Sequence, residues 1–210
     1  MRIATEAGDA EAELDRPPGE DSPGSEDKPP RFLLVLTHGA GGSAAAPDLL
    51  AARDAGVQLG GLVARVTQPY RVRGARAPGL PDRQDAAWTE VVAALRLLAP
   101  GVPLVQGGRS NGARVACRTA AAVGARAVIA LAFPLCPPGS SPAVSRAPEL
   151  RAAREGGARV LVVNGDRDPF GVPGAQDADR VVVVPGETHA LKGHRAVIVD
   201  AVAEWLPTVL

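Results

Sequence analysis

The chain is short of aromatic side chains: it has two Trp, one Tyr and three Phe among 210 residues. Nucleic-acid surfaces interleave aromatics with basic residues so that bases can stack. That pattern is missing, so no nucleic-acid partner is expected. Cysteine is scarce too. Cys117 and Cys136 are too few and too isolated for a disulfide framework, and they lack metal-ligand spacing. Ordinary thiols in a reducing, cytoplasmic setting are expected, with no bound metal. No apolar run is long enough to span a membrane. The first residues lack the charged start and hydrophobic run of a secretory signal. Lysine is nearly absent, for every basic residue except Lys28 and Lys192 is arginine. With abundant Ala, Gly and Pro, this points to a compositional bias, so clustered arginines carry less weight as anion sites.

Charge is balanced overall but unevenly spread. Residues 1–30 hold nine acidic residues against three basic ones, with five prolines and few large apolar side chains. Such composition predicts a disordered, solvated acidic arm. Residues 31–210 are long enough for one domain with a full core. In them, short β-branched runs alternate with longer Ala/Leu/Arg stretches of helical period. Strands are predicted at Phe32–Thr37, Gln58–Val66, Pro103–Gln106, Ala127–Phe133, Arg159–Val163 and Arg180–Val184. Helices are predicted at Ala44–Ala55, Asp82–Ala99, Asn111–Val123, Pro148–Glu155 and Leu191–Trp205, with a weaker piece near Val172–Asp177. This alternation implies an α/β fold: a doubly wound, mostly parallel six-stranded sheet with helices on both faces. The runs Leu33–Leu36 and Val181–Val184 read as strands buried on both faces.

Parallel topology gathers the C-terminal ends of the strands on one rim, where ligands bind. Four segments arrive there. The first strand ends in His38-Gly39-Ala40-Gly41-Gly42. The third leads into Gly108-Arg109-Ser110-Asn111-Gly112, a G-x-S-x-G motif in the strand–turn–helix context of a nucleophile elbow. The fifth leads into Asn164-Gly165-Asp166-Arg167-Asp168, and the sixth into Glu187-Thr188-His189. A serine hydroxyl needs a base to attack at neutral pH. His189, at a strand-to-helix junction, suits that task better than His38, which shapes the glycine loop, or His194, placed inside the last helix. Asp166 or Asp168 would hold the imidazole in the productive tautomer. The backbone N–H groups of Asn111 and of the His38–Gly42 loop, with Ala40 the first choice, would receive an oxyanion. His38, Arg71 and Arg109 are candidate substrate contacts, although a solvated role for the Arg-rich loop 68–81 is an equal reading.

These segments resemble the α/β-hydrolase superfamily. They are most similar to its small lidless branch, the dienelactone-hydrolase-like and testis-expressed/KANSL-type hydrolase-like domains. The likeness spans residues 32–206. In such proteins the acid lies three residues after the glycine closing the penultimate strand, which selects Asp168 over Asp166. The resemblance implies a minimal fold that lacks the antiparallel strands opening larger members. No lid is expected, since Phe133 to Pro148 offers only a Pro/Ser loop. It further implies a serine hydrolase of a small ester-like substrate, needing no cofactor. The rival readings are an idle hydrolase-like scaffold that binds a partner, and an acyltransferase using the same triad. The sequence leaves the oligomeric state open.

Overall fold

The computed structural model describes residues 1–17, 29–137 and 144–210. The strands are β1 (Arg2–Ile3), β2 (Ala10–Asp15), β3 (Leu33–Thr37), β4 (Leu62–Thr67), β5 (Leu104–Arg109), β6 (Ala127–Leu131), β7 (Arg159–Gly165) and β8 (Arg180–Val184). The helices are α1 (Pro47–Gln58), α2 (Pro69–Val72), α3 (Pro81–Arg96), α4 (Asn111–Thr119), α5 (Ala147–Glu155) and α6 (Arg195–Trp205). Proline opens α1, α2 and α3 and stands second in α5, positions where its missing N–H costs nothing. Asp82 therefore lies inside the first turn of α3.

All eight strands form one sheet in the order β1-β2-β4-β3-β5-β6-β7-β8. From β4 across to β8 every pairing is parallel. Side chains alternate between two cores. Leu34, Leu36, Val105, Ile129 and Val163 point toward α1 and α6, packing with Leu49, Val202 and Trp205. Leu33, Val35, Val128 and Val162 point the other way, toward Trp88, Leu95, Val115 and Leu150 of α3, α4 and α5. The continuous apolar runs of β3 and β6 follow from burial on both faces.

Three expectations are corrected. The sheet has eight strands, not six, because β1 and β2 pair antiparallel with each other and β2 pairs antiparallel with β4. The acidic arm is therefore structured over its first part, and the antiparallel opening strands are present. Ala10 and Ala12 face inward while Glu11 and Glu13 face outward, a period-two pattern whose apolar half is too small to register as hydrophobic. Glu13 stands opposite Arg65 in the ladder, and Asp15 receives both Arg65 and Arg53. The remainder of the arm, 18–28, lies outside the described residues. Second, β8 is an edge strand, with Val183 46% exposed, despite its four valines. Third, Val172–Asp177 is a run of loop and turns, not a helix. There Asp177 is buried, binding Arg151 and the Gly174 amide, and Asp179 accepts the Val160 amide. Part of the expected Pro/Ser loop, 138–143, also lies outside the described residues. Among the described residues, no helix is long and apolar enough to cross a membrane.

Candidate active site

The turn between β5 and α4 is built around one strained residue. Ser110 has φ 51° and ψ −116°, far from the conformations L-residues prefer. Such a turn is possible only if the flanking backbone can come close. A Cβ on Gly108 would lie 2.6 Å from the Thr37 carbonyl oxygen, and one on Gly112 would lie 2.6 Å from the same atom. Glycine at both positions lets β5 and the start of α4 pack against the end of β3. The hydroxyl of Ser110 is thereby lifted at the rim, beside the first amides of α4.

That hydroxyl is 2.9 Å from His189 Nε2, and His189 Nδ1 is 2.8 Å from Asp168 Oδ2. The carboxylate can only accept, so Nδ1 carries the proton and Nε2 faces the serine as an acceptor. Asp168 is fixed at both oxygens. The Phe170 amide donates to Oδ1 at 2.9 Å, and Asn164 Nδ2 donates to Oδ2 at 3.3 Å. The Phe170 ring and the imidazole pack at near right angles, with centroids 4.6 Å apart. Asp166 turns elsewhere and accepts the Gly186 amide.

The loops carrying Asp168 and His189 are stitched together. A Cβ on Gly165 would fall 2.2 Å from the Glu187 carbonyl oxygen, and that oxygen accepts the Arg167 amide at 2.9 Å. The Glu187 carboxylate accepts the Gly193 amide at 2.6 Å and His194 Nδ1 at 2.8 Å. The hydrogen bond from His194 holds this carboxyl below its ordinary pKa, outweighing the opposing effect of burial, and the Gly193 amide helps. His194 thus stands at the N-cap of α6 and clamps the loop that carries His189, rather than lying inside the helix.

Across the rim, residues 39–42 form a tight turn, with Gly42 N–H bonded to the Gly39 carbonyl at 2.9 Å and Gly41 at φ +67°. A Cβ on Gly39 would lie 3.1 Å from Ser110 Cβ, so this turn packs directly against the elbow. Ala40 follows Gly39, and its amide lies outside the turn's own hydrogen bond. Asn111 is the first residue of α4, where an amide has no intrahelical acceptor.

The three residues proposed from sequence as substrate contacts are occupied within the protein. His38 is fully buried. Its Nδ1 lies 2.9 Å from the Gly39 carbonyl and its Nε2 accepts the Gln68 amide at 3.0 Å. Burial pushes its pKa down, against the Gly39 hydrogen bond. Arg71 holds the glycine turn from outside, donating to the Gly42 and Ala75 carbonyls. Arg109 binds Asp48 and the His189 carbonyl. Sequence reasoning missed Asn164 and Asp48. Asn164 was visible as a polar residue ending the apolar run of β7, where a buried amide must find partners. It brackets Phe133, donating to its carbonyl and accepting its amide. Asp48 gave no signal, since its partner is 61 residues away.

A cavity of about 690 Å³ lies elsewhere, between the β1–β2 turn, α2 and the start of α3. Glu6, Gln68, Tyr70 and Arg83 line it, and none of Ser110, Asp168 and His189 does. No group of three or more His, Cys, Asp or Glu side chains among the described residues is placed to hold a metal ion.

A family profile described as an alpha/beta hydrolase domain matches residues 30–190. No curated protein matches the chain by sequence. Among solved structures, an alpha/beta serine hydrolase from Xanthomonas campestris, described as without a lid, is similar at TM-score 0.70 and 21% identity, covering 99% of this chain and 94% of that one. Est1E from Butyrivibrio proteoclasticus, with ferulic acid bound, is similar at TM-score 0.77 and 18% identity over 100% and 98% of the two chains. A dienelactone hydrolase from Anabaena variabilis is similar at TM-score 0.72 and 16% identity over 100% and 96%. At these identities the likeness is one of fold.

Proposed function

The chain belongs to the alpha/beta hydrolase domain family, and on that premise we propose that it is a serine hydrolase acting on a small ester or thioester through an acyl-enzyme. One observation carries this reading: the unbroken line of hydrogen bonds from Ser110 Oγ through His189 to Asp168, starting at a strained elbow. Ser110 attacks the substrate carbonyl while His189 Nε2 takes its proton. Asp168 keeps the ring in the required tautomer and stabilises the imidazolium that forms. The tetrahedral oxyanion is received by the amides of Asn111 and Ala40, each such donor contributing about 10²–10³ in rate. The imidazolium then protonates the leaving group, and water repeats the sequence to release the acid.

A small, accessible substrate is supported by the short connection from β6 to α5, residues 132–146, and by the likeness to a lidless hydrolase. The two free thiols, Cys117 and Cys136, suit a cytoplasmic setting.

Replacing Ser110 by Ala tests the reading. Turnover of p-nitrophenyl acetate should fall by at least about 10³-fold, and labelling by a fluorophosphonate should cease. A Ser110→Ala protein that is still labelled at wild-type rate would remove Ser110 from the chemistry.

A further inference from the structure

The middle position of the first half of the elbow, Arg109, is tied to three separate parts of the fold. It ends β5, one residue before Ser110. Its Nε donates to Asp48 Oδ2 at 2.8 Å, and its Nη2 donates to the backbone carbonyl of His189 at 2.6 Å. A Cβ on Gly39 would lie 3.3 Å from its Nη1, so the guanidinium also packs beneath the turn that carries Ala40. Asp48 is 0% exposed, and its other oxygen accepts the Leu49 amide in the first turn of α1. The Arg109 side chain is only 17% exposed. One planar group therefore meets α1, the glycine turn and the base loop.

We propose that Arg109 is a positioning residue that sets the distance between the nucleophile and the base, and that Asp48 holds its guanidinium plane. The proposal rests on the reading of Ser110 and His189 as nucleophile and base. The physical case is geometric. His189 sits in an irregular loop between β8 and α6 whose clamps through Glu187 reach the end of β7 and the start of α6, which leaves its backbone some freedom relative to β5. A charge-assisted bond from the residue adjoining Ser110 to the carbonyl of His189 itself removes that freedom. Small displacements matter at this point, since about 1 Å of misplacement can cost about 10²-fold in rate. Arginine suits the task and lysine does not, because two acceptors in fixed directions call for a rigid fork of donors. Asp48 explains how a cation is kept here, for a buried carboxylate needs a charged partner. With two donors engaged and most of its surface covered, the guanidinium is not arranged to receive a substrate anion.

The test uses the full-length protein and three variants. Arg109→Met alone would strand the Asp48 charge and could fail to fold, so it is made in the Asp48→Asn background, which leaves no buried charge. The double variant should fold and show a kcat for p-nitrophenyl acetate lowered by about 30–100-fold, with KM unchanged. Labelling of Ser110 by a fluorophosphonate should slow by a similar factor. Asp48→Asn alone keeps the bond to His189 and should lose only about 3-fold, and Arg109→Lys should fall between the two. A readout independent of turnover is the low-field proton resonance of the His189 Nδ1–H bonded to Asp168. It should be sharp in wild type and Asp48→Asn and lost in the double variant. A double variant with wild-type kcat and an intact resonance would overturn the proposal, and so would a rise in KM with kcat unchanged. A wild-type protein that neither turns over esters nor reacts with the probe would sink the hydrolase reading instead, leaving the resonance to decide the positioning claim.

Discussion

His38 stands beside the elbow with both ring nitrogens engaged by the backbone. The Gln68 amide can only donate, so Nε2 must accept it, and the single ring proton sits on Nδ1, donated to the Gly39 carbonyl. Protonating the ring would break the first bond and bury a charge. Its folded pKa is accordingly depressed, chiefly by burial. The unfolded chain binds a proton on this histidine near pH 6.5 and the folded chain only at lower pH, so stability is fully present above about pH 6.5 and declines as pH falls below it. Urea unfolding of wild type and His38→Asn at pH 7.5 and 5.5 should show the smaller decline in the variant. Equal declines would mean that the ring is protonated without cost. Glu187 acts in a lower window. Its folded pKa is depressed by the His194 hydrogen bond, so its contribution holds at neutral pH and fades only as pH falls below about 4. The difference in melting temperature between wild type and Glu187→Gln should therefore be large at pH 6 and shrink toward pH 3.5.

At the scale of elements, the decisive contacts are backbone against backbone. Gly165 ends β7, and any Cβ there would meet the carbonyl of Glu187 at 2.2 Å. A carbonyl within a bonded loop cannot step aside as a flexible side chain can. Gly165→Ala should therefore destabilise the fold by about 1–3 kcal/mol, the usual cost of overpacking. It should also lower ester turnover, because the displaced segments carry Asp168 and His189. Urea melts together with p-nitrophenyl acetate kinetics measure both effects. The same logic explains what could be read from the chain and what could not. The alternation of β and α segments fixes a parallel sheet, and parallel strands deliver Ser110, Asp168 and His189 to one rim however far apart they are in sequence. Gly108 and Gly112 announce the tight approach at the elbow. The Arg109–Asp48 pair was illegible, because an acidic residue in a first helical turn is ordinary and its partner is 61 residues away. The edge position of β8 was hidden for a related reason. Strand order is a tertiary fact, and four successive valines look the same at an edge as in the middle.

At the scale of the whole molecule, the opening hairpin is the feature that composition misjudged, and it has work to do at the sheet's edge. β2 covers the side of β4 that would otherwise present unpaired N–H and C=O groups. Its acidic residues meet basic partners already in place. Arg65 is only 7% exposed on β4, so its charge depends on Glu13 and Asp15. These two acids are not equivalent. The Glu13 side chain is 63% exposed, whereas that of Asp15 is 16% exposed and serves Arg53 as well as Arg65. Exposed pairs contribute about 0–1 kcal/mol, and breaking buried ones costs several-fold more. Glu13→Gln should therefore leave thermal stability nearly unchanged, while Asp15→Asn should lower the melting temperature by several degrees. Deleting residues 1–17 goes further, for it removes both carboxylate partners of Arg65, uncovers the apolar surface beneath Ile3, Ala10 and Ala12, and frees the β4 edge. The truncated protein should melt at a lower temperature and self-associate, visible by sedimentation at micromolar concentration. If it stays monomeric with the melting temperature of the full chain, the hairpin is an appendage and β4 is protected by some other means.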